Sequence, residues 1–381
     1  MKKISFFLVL ILTLQLMILP VLAQNTGTSI GDLSTSKKPS VTAKSAILMD
    51  ANSGEILYEK DIYKKRYPAS ITKIMTTLVA IENCDSLYET VTYSEHAINS
   101  IEPGSSQIYI NPGEKLSLEE SLYAIMLESA NEACNGVAEH IGGSIEGFVD
   151  MMNAKAKELG CKNTHFMNPN GLHNDKHYVC AYDMALITKA ALKNKTFRKI
   201  ASTASYTIPT TNKSKQQRPL WNHHKMVKKT NYVYDGVEGG KTGFTMMARN
   251  TLVTWCQRDG LELIAVTLRD NGYETYTDTK KLFQYGYKNF KAFTPLETKS
   301  YDTFASDSSN SMIQAANQLS PLKINIMGDT NYSVIMNKTT KDTDIQHTFT
   351  YNKKSHKNIL QLYYNNKKVG SIPFTISTTT K

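Results

Sequence analysis

The sequence predicts an α/β protein: one mainly antiparallel sheet packed by helices, followed by a small all-β domain. Two observations give the first part. Strand-like apolar runs lie at both ends of residues 44–290, and the segments between them carry helical periodicity or helix-boundary signals. The second part follows from a composition shift near residue 294, where Ser, Thr and Asn surround short alternating runs. Four segments are expected: an export signal (1–23), a polar linker (24–43), the main domain (44–293) and a β-rich C-terminal domain (294–381).

The opening MKKISFFLVLILTLQLMILPVLA joins a basic start to a long apolar stretch. It reads as a secretory signal cleaved after Ala23, with an uncleaved anchor as the competing reading. Pro20 and the small Ala23 favour cleavage. No later segment is apolar for long enough to span a bilayer, so the mature chain is expected to act outside the cytoplasmic membrane. Next, QNTGTSIGDLSTSKKPSVTA has a linker's composition. It contains Gly27-Thr28-Ser29-Ile30-Gly31, which fits the G-x-S-x-G elbow. No strand precedes it, so the match is read as chance.

AILMDANSGEILYEK places two apolar runs around Asn52-Ser53-Gly54, a hairpin signal. In YPASITKIMT-TLVAIEN, Ile71, Ile74, Met75, Leu78 and Val79 form the stripe of a core-facing helix, with Pro68 near its start. Ser70 and Lys73 lie one turn apart on neighbouring parts of that surface. A lysine there either snorkels to water or is kept beside the hydroxyl. Ser117 and Glu120 in SLEESLYAIML form a capping-box signature. NEACNGVAEHI reads as a further helix ending at Gly142-Gly143. Residues 145–200 read as mostly helical apart from the turn-rich NPNGLHND. GVEGGKTGFT, NTLVTWCQ and LELIAVTL are strand-like, the last two joined by Arg258-Asp259-Gly260. TKKLFQYGYKNF (279–290) is helical in spacing, and YSVIM, HTFTY, ILQLYY and GSIPFTI are the C-terminal strand candidates.

Composition narrows the function classes. The formal net charge is +10, and Lys2 and Lys3 account for two of those charges, leaving +8 on the 358 residues from position 24. That balance suits anionic polymers or membrane surfaces, but the charge is not clustered as a nucleic-acid binder requires. The five scattered cysteines Cys84, Cys134, Cys161, Cys180 and Cys256 do not make a disulfide framework, although one pair could bridge. His173, His177 and Cys180 have metal-ligand spacing, yet they sit in a polar turn with no obvious fourth ligand, so no metal is expected there.

Three short motifs carry chemistry. A serine hydroxyl becomes a nucleophile when a base takes its proton, and a dry lysine is such a base because desolvation disfavours its charged form. Ser70-Ile71-Thr72-Lys73 offers that pair, at a helix start whose dipole is favourable. Ser129-Ala130-Asn131 would diverge by about 200° on a continuous helix. A bend joining two helical pieces would instead send both side chains into one cleft; the plain alternative is a polar interhelical turn. Lys241-Thr242-Gly243 is read at the end of a strand, where Lys and Thr on an edge can grip a carboxylate and Gly243 lets another backbone approach. A phosphate loop is excluded, because only three residues separate Gly236 from the Gly-Lys-Thr.

S-x-x-K, S-x-N and K-T-G follow in that order, 59 and 112 residues apart. With YPASITKIMT, FMNPNGLH, YDMA (182–185) and KTGFT, they make residues 44–290 resemble the exported D-alanyl-D-alanine carboxypeptidases, low-molecular-mass penicillin-binding proteins. The resemblance implies a penicillin-binding-protein/β-lactamase-like domain with the sheet described above. It implies Ser70 as the attacking group on peptidoglycan stem peptides ending in D-Ala-D-Ala, Lys73 as base and Ser129 as proton shuttle. It further implies that Asn131 holds the substrate amide, that Lys241 and Thr242 bind its carboxylate beside Gly243, and that the N–H groups of Ser70 and Phe244 form the oxyanion hole. It implies β-lactams as acylating partners and neither metal nor organic cofactor.

The chain departs from the family pattern at Arg249, where Gly usually follows the Ala, and in YETYTDTKKL, which lacks an Arg some members place there. VGSIPFTISTTTK shows no clear C-terminal membrane anchor. A serine β-lactamase is the nearest alternative, but no glutamate between the second and third motifs has the E-x-x-L-N context its deacylating water needs. A catalytically silent wall-binding protein is the other, and the intact Ser70 and Lys73 argue against it.

Overall fold

The computed structural model describes residues 37–227, 231–293, 323–328, 334–352 and 357–379. The expected signal segment, the first part of the linker and the Gly27–Gly31 match lie outside these residues.

The chain enters through β1 (Ser45–Asp50) and β2 (Ile56–Lys60), the expected hairpin. A single 3-10 turn over Ala69–Thr72 leads into α1 (Lys73–Asn83). Next come β3 (Thr90–Thr92), α2 (Glu95–Asn99), β4 (Lys115–Ser117), α3 (Leu118–Tyr123) and, after a bend, α4 (Asn131–Gly142). Helices α5 (Ile145–Glu158), α6 (Ala181–Ala191) and α7 (Lys195–Ser202) precede the small hairpin of β5 (Ser205–Ile208) and β6 (Arg218–Trp221). The sheet is then completed by β7 (Val237–Thr245), β8 (Arg249–Arg258) and β9 (Leu261–Asp270), and α8 (Glu274–Asn289) closes the region.

The five strands run in the order β2-β1-β9-β8-β7, every neighbour antiparallel. Both faces are covered. Ile47, Met49, Trp255, Ile264 and Val266 join the helical side with Ile74, Leu78 and Leu122. Alternate residues Ala46, Leu48, Leu263 and Ala265 pack against Leu282 and Phe283 of α8. A sheet buried on both sides reads as unbroken apolar runs, which is why AILM and LELIAVTL show no polar alternation. Each large side chain so buried stabilises by about 1.5–3 kcal/mol. The β8–β9 turn needs left-handed backbone at Asp259 (φ 54°) and Gly260 (φ 77°), as the Asp-Gly pair predicts. The capping box at Ser117 and Glu120 is formed, and Gly143 (φ 73°) ends α4.

Three expectations change. The stretch 159–180 contains no helix, a longer gap than NPNGLHND alone. Asparagine side chains hold it in turns: Asn168 accepts from the Gly171 amide at 2.7 Å and Asn170 from the Leu172 amide at 2.9 Å. Such local bonds compete with helix formation. The linker also ends before residue 43, since Val41 and Ala43 are buried and Thr42 Oγ1 donates to Asp270 (2.7 Å) and Asp278 (2.9 Å). Finally, α8 begins five residues ahead of the expected Thr279.

Beyond α8, β10 (Phe290–Phe293), β11 (Lys323–Gly328), β12 (Val334–Asn337), β13 (Ile345–Asn352), β14 (Lys357–Tyr364) and β15 (Lys367–Thr379) are all strands. Four form the sheet β11-β15-β14-β13, while β12 pairs with β10. The two regions therefore meet at β10, where Phe290 and Ile335 share the apolar cluster under α8.

Candidate active site

Ser70 sits in the 3-10 turn, directly after Ala69, whose φ of 53° is left-handed. Neighbours fix this turn: Thr251 Oγ1 donates to the Pro68 carbonyl at 2.8 Å. The stripe Ile71, Ile74, Met75, Leu78 and Val79 is buried as its spacing requires, and so is Lys73, at 0 % exposure. The lysine does not snorkel. Its Nζ lies 3.1 Å from Ser70 Oγ, 2.7 Å from Asn131 Oδ1 and 2.6 Å from the Asn170 carbonyl. Burial pushes its ammonium pKa down, opposed weakly by the fields of Cys134 and Glu132.

The second motif reaches the same point through the bend. A π-type turn over Ala124–Glu128 ends at Ser129, whose φ of 62° reverses the path, and α4 restarts at Asn131. The 200° divergence of a continuous helix is thereby removed, and both side chains enter the site. From the sheet side, Lys241 Nζ donates to Ser129 Oγ and to the Thr242 carbonyl, each at 3.1 Å. Lys241 is 2 % exposed, and desolvation followed by the Lys73 charge pushes its pKa down to about 7. Gly243 lies so close to the Ser70 turn that an added Cβ would sit 2.8 Å from the Ser70 nitrogen and overlap Thr251 Oγ1. No other residue type fits there.

These groups floor a cleft of about 710 Å³. Ser70, Ser129, Asn131, Thr242, Gly243 and Phe244 all line it, so the structure gathers the expected residues, with Lys73 and Lys241 beneath them. The Phe244 side chain itself points outward, 56 % exposed, on a rim with Met246 and Tyr273. Lys225 also lines the cleft, on the side where YETYTDTKKL supplies no Arg.

Sequence reasoning missed Asn170 and Gly171. The Asn170 carbonyl holds Lys73, and Gly171 (φ 88°) presses against the Ala69 carbonyl so closely that a Cβ would overlap it. The Asn-Gly pair marked a turn but gave no sign of its contact with Lys73. Of the metal-spaced residues, His177 contacts Thr72 Oγ1 (3.0 Å) and accepts from the Met167 amide (3.2 Å), Cys180 caps α6, and His173 packs on Tyr67. All five cysteines are free thiols.

A family model described as D-alanyl-D-alanine carboxypeptidase matches residues 32–272. The chain belongs to this carboxypeptidase family. Among relatives, it is 40 % identical over 231 residues to the D-alanyl-D-alanine carboxypeptidase DacF of Bacillus subtilis, covering 59 % of this chain and 56 % of that one. The D-alanyl-D-alanine carboxypeptidase DacA of Escherichia coli is 32 % identical over 270 residues, 68 % of this chain and 64 % of its own. The chain thus spans little more than half of the first relative and under two thirds of the second. The crystal structure of a Streptomyces DD-transpeptidase superposes with a TM-score of 0.62 at 28 % identity, covering 66 % of this chain and 99 % of that one. The carboxypeptidase-family match takes in all three motifs, and the sheet packed by helices is the penicillin-binding-protein type of fold expected from them.

Proposed function

We propose that this chain is an exported serine D-Ala-D-Ala carboxypeptidase, with a catalytic domain over 44–293 and a separate C-terminal domain over 294–381. The observation that carries the reading is the 3.1 Å contact between Ser70 Oγ and the Nζ of a fully buried Lys73. A neutral amine has two protons and one lone pair. Asn131 Oδ1 and the Asn170 carbonyl accept the two protons, which leaves the lone pair facing the hydroxyl.

Lys73 takes the Ser70 proton as Oγ bonds to the carbonyl carbon of the penultimate D-alanine. The N–H groups of Ser70 and Phe244 stabilise the oxyanion. Collapse breaks the peptide bond, and Ser129 passes the proton to the departing D-alanine amine, leaving an ester on Ser70. Water then cleaves the ester, restoring the hydroxyl. Asn131 orients the substrate amide, while Lys241 and Thr242 hold the terminal carboxylate beside Gly243. A β-lactam enters as a substrate mimic and acylates the same oxygen.

The β-lactamase reading is not favoured: Glu102 is the one carboxylate residue lining the cleft among the described residues, and it precedes the second motif. The test is incubation of the protein with a stem peptide ending in D-Ala-D-Ala, assaying released D-alanine, and intact mass after penicillin. D-alanine release and a single adduct absent from Ser70→Ala are expected. Fast, repeated penicillin hydrolysis would transfer the reading to a β-lactamase, and absence of both adduct and D-alanine would remove it.

A further inference from the structure

A second cavity, of about 360 Å³, lies on the far side of the β7–β8 turn from the cleft. Met247 borders both cavities, and the ring contact between Tyr67 and the cleft residue His173 forms part of the wall between them. Among the described residues, three cations line the second cavity: Lys65, Arg66 and Arg269. Asp175 is the one carboxylate lining it among the described residues, and that group is already 3.4 Å from both His173 Nε2 and Tyr67 Oη.

Arg66 is held rather than merely present. Arg66 is fixed by reciprocal backbone bonds with Val179 (2.7 and 2.9 Å), and its Nε donates to Ser45 Oγ at 3.1 Å. Its outer guanidinium nitrogens make no further hydrogen bond or ion pair among the described residues. The Arg269 side chain makes none among them, and its backbone is left-handed (φ 56°) near the end of β9, where the β8 register shifts. Residues held in that region cost stability and concentrate where a side chain is aimed for use. Burial lowers the Arg66 pKa first, and the Arg269 charge lowers it further, so the two like charges feel one another. Lys65 Nζ stacks 4.1 Å over the Tyr178 ring, which closes the third side.

We propose that this cavity is a second binding site, for an oxyanion: a phosphate or carboxylate group carried on a polymer. Two guanidinium forks converging on one space match the paired oxygens of such a group, and the anion relieves the repulsion between them. The site does not depend on acyl transfer, and Ser70→Ala is expected to keep it.

The probes are a labelled glycerol-phosphate oligomer and a charge-matched oligoglutamate, measured by fluorescence anisotropy on the whole chain at low and raised salt. Arg66→Gln combined with Arg269→Gln is expected to weaken binding about tenfold, a difference of about 1.4 kcal/mol. The equally charged control, Lys157→Gln with Lys195→Gln, changes two exposed lysines and is expected to stay within about twofold of the parent. Arg269→Gln alone alters an exposed side chain without such bonds, so it must weaken binding with an unchanged thermal melt. Preference for the first oligomer assigns the site to phosphate, preference for the second to carboxylate, and equal binding to oxyanions in general. If neither probe binds the parent, or the arginine and lysine variants weaken alike, the site is not there.

Discussion

Two buried lysines meet the same serine-lined floor and have opposite requirements. On the proposed mechanism Lys73 must shed its proton to act as base, whereas Lys241 must keep one to hold a carboxylate. Burial lowers both pKa values, and the Lys73 charge depresses that of Lys241 further. Acylation by a labelled penicillin is therefore expected to rise with pH as Lys73 becomes neutral. It is expected to fall again above about pH 7 as Lys241 loses the charge that grips the anion. Lys241→Arg should carry the falling limb to higher pH, because a guanidinium does not titrate there. The same shift has a sign for stability. The unfolded lysine holds its proton up to its ordinary 10.5 and the folded one only to about 7, so the free protein gains stability as pH rises between them. A pH–rate profile unchanged by Lys241→Arg would show that this lysine does not grip the anion. The apolar stripe around Lys73 left two readings, snorkelling or a dry position, and its burial decides for the second. Its bond to the Asn170 carbonyl was not legible, because a backbone oxygen 97 residues away leaves no mark on side-chain spacing.

At the scale of elements, the site depends on backbone that leaves the regular path. Ala69 and Ser129 are both left-handed, and they turn two helix beginnings toward the strand carrying Lys241. The spacing of Ser129 and Asn131 required such a bend without specifying a π-type turn, since periodicity records which residues face the core and not how a turn closes. Arg249 belongs to the same class of feature. It is exposed at the start of β8 with φ 58°, and its partner across the β7–β8 turn is Thr245. A glycine there meets a conformational requirement, so the departure from the family pattern is a matter of turn strain. A left-handed non-glycine residue costs roughly 1–2 kcal/mol. Arg249→Gly is therefore expected to raise Tm by about 2–4 °C, with the penicillin acylation rate within about twofold of the parent. An unchanged or lower Tm would mean that Arg249 makes compensating contacts in solution.

For the whole molecule, the strand patterns showed that the stretch from residue 294 is β-rich, yet they could not show which strand crosses the expected boundary at 293/294. Alternation identifies an inward face and leaves the pairing partner open. The crossing falls on β10, paired through Phe290–Asn337 to Phe293–Val334, with the Lys338 amide bonded to the Asn289 carbonyl. Among the described residues, none lining the cleft comes from beyond Tyr276, and the family match ends at 272. Removing residues 294–381 is thus expected to leave Ser70 able to form a penicillin adduct. The cost falls on α8: Ile335 leaves the cluster shared by Phe283 and Phe290, a loss of about 1.5–3 kcal/mol per large apolar side chain, and Tm should drop by several degrees. The strand Phe290–Phe293 also becomes an unpaired apolar edge, which promotes association between copies. Ala292→Lys in the shortened chain should restore a monomer in sedimentation experiments without changing the adduct yield, because a charge on an exposed edge opposes strand addition. Loss of the adduct at a temperature where the shortened chain keeps its far-UV signal would instead make the C-terminal region part of the catalytic unit.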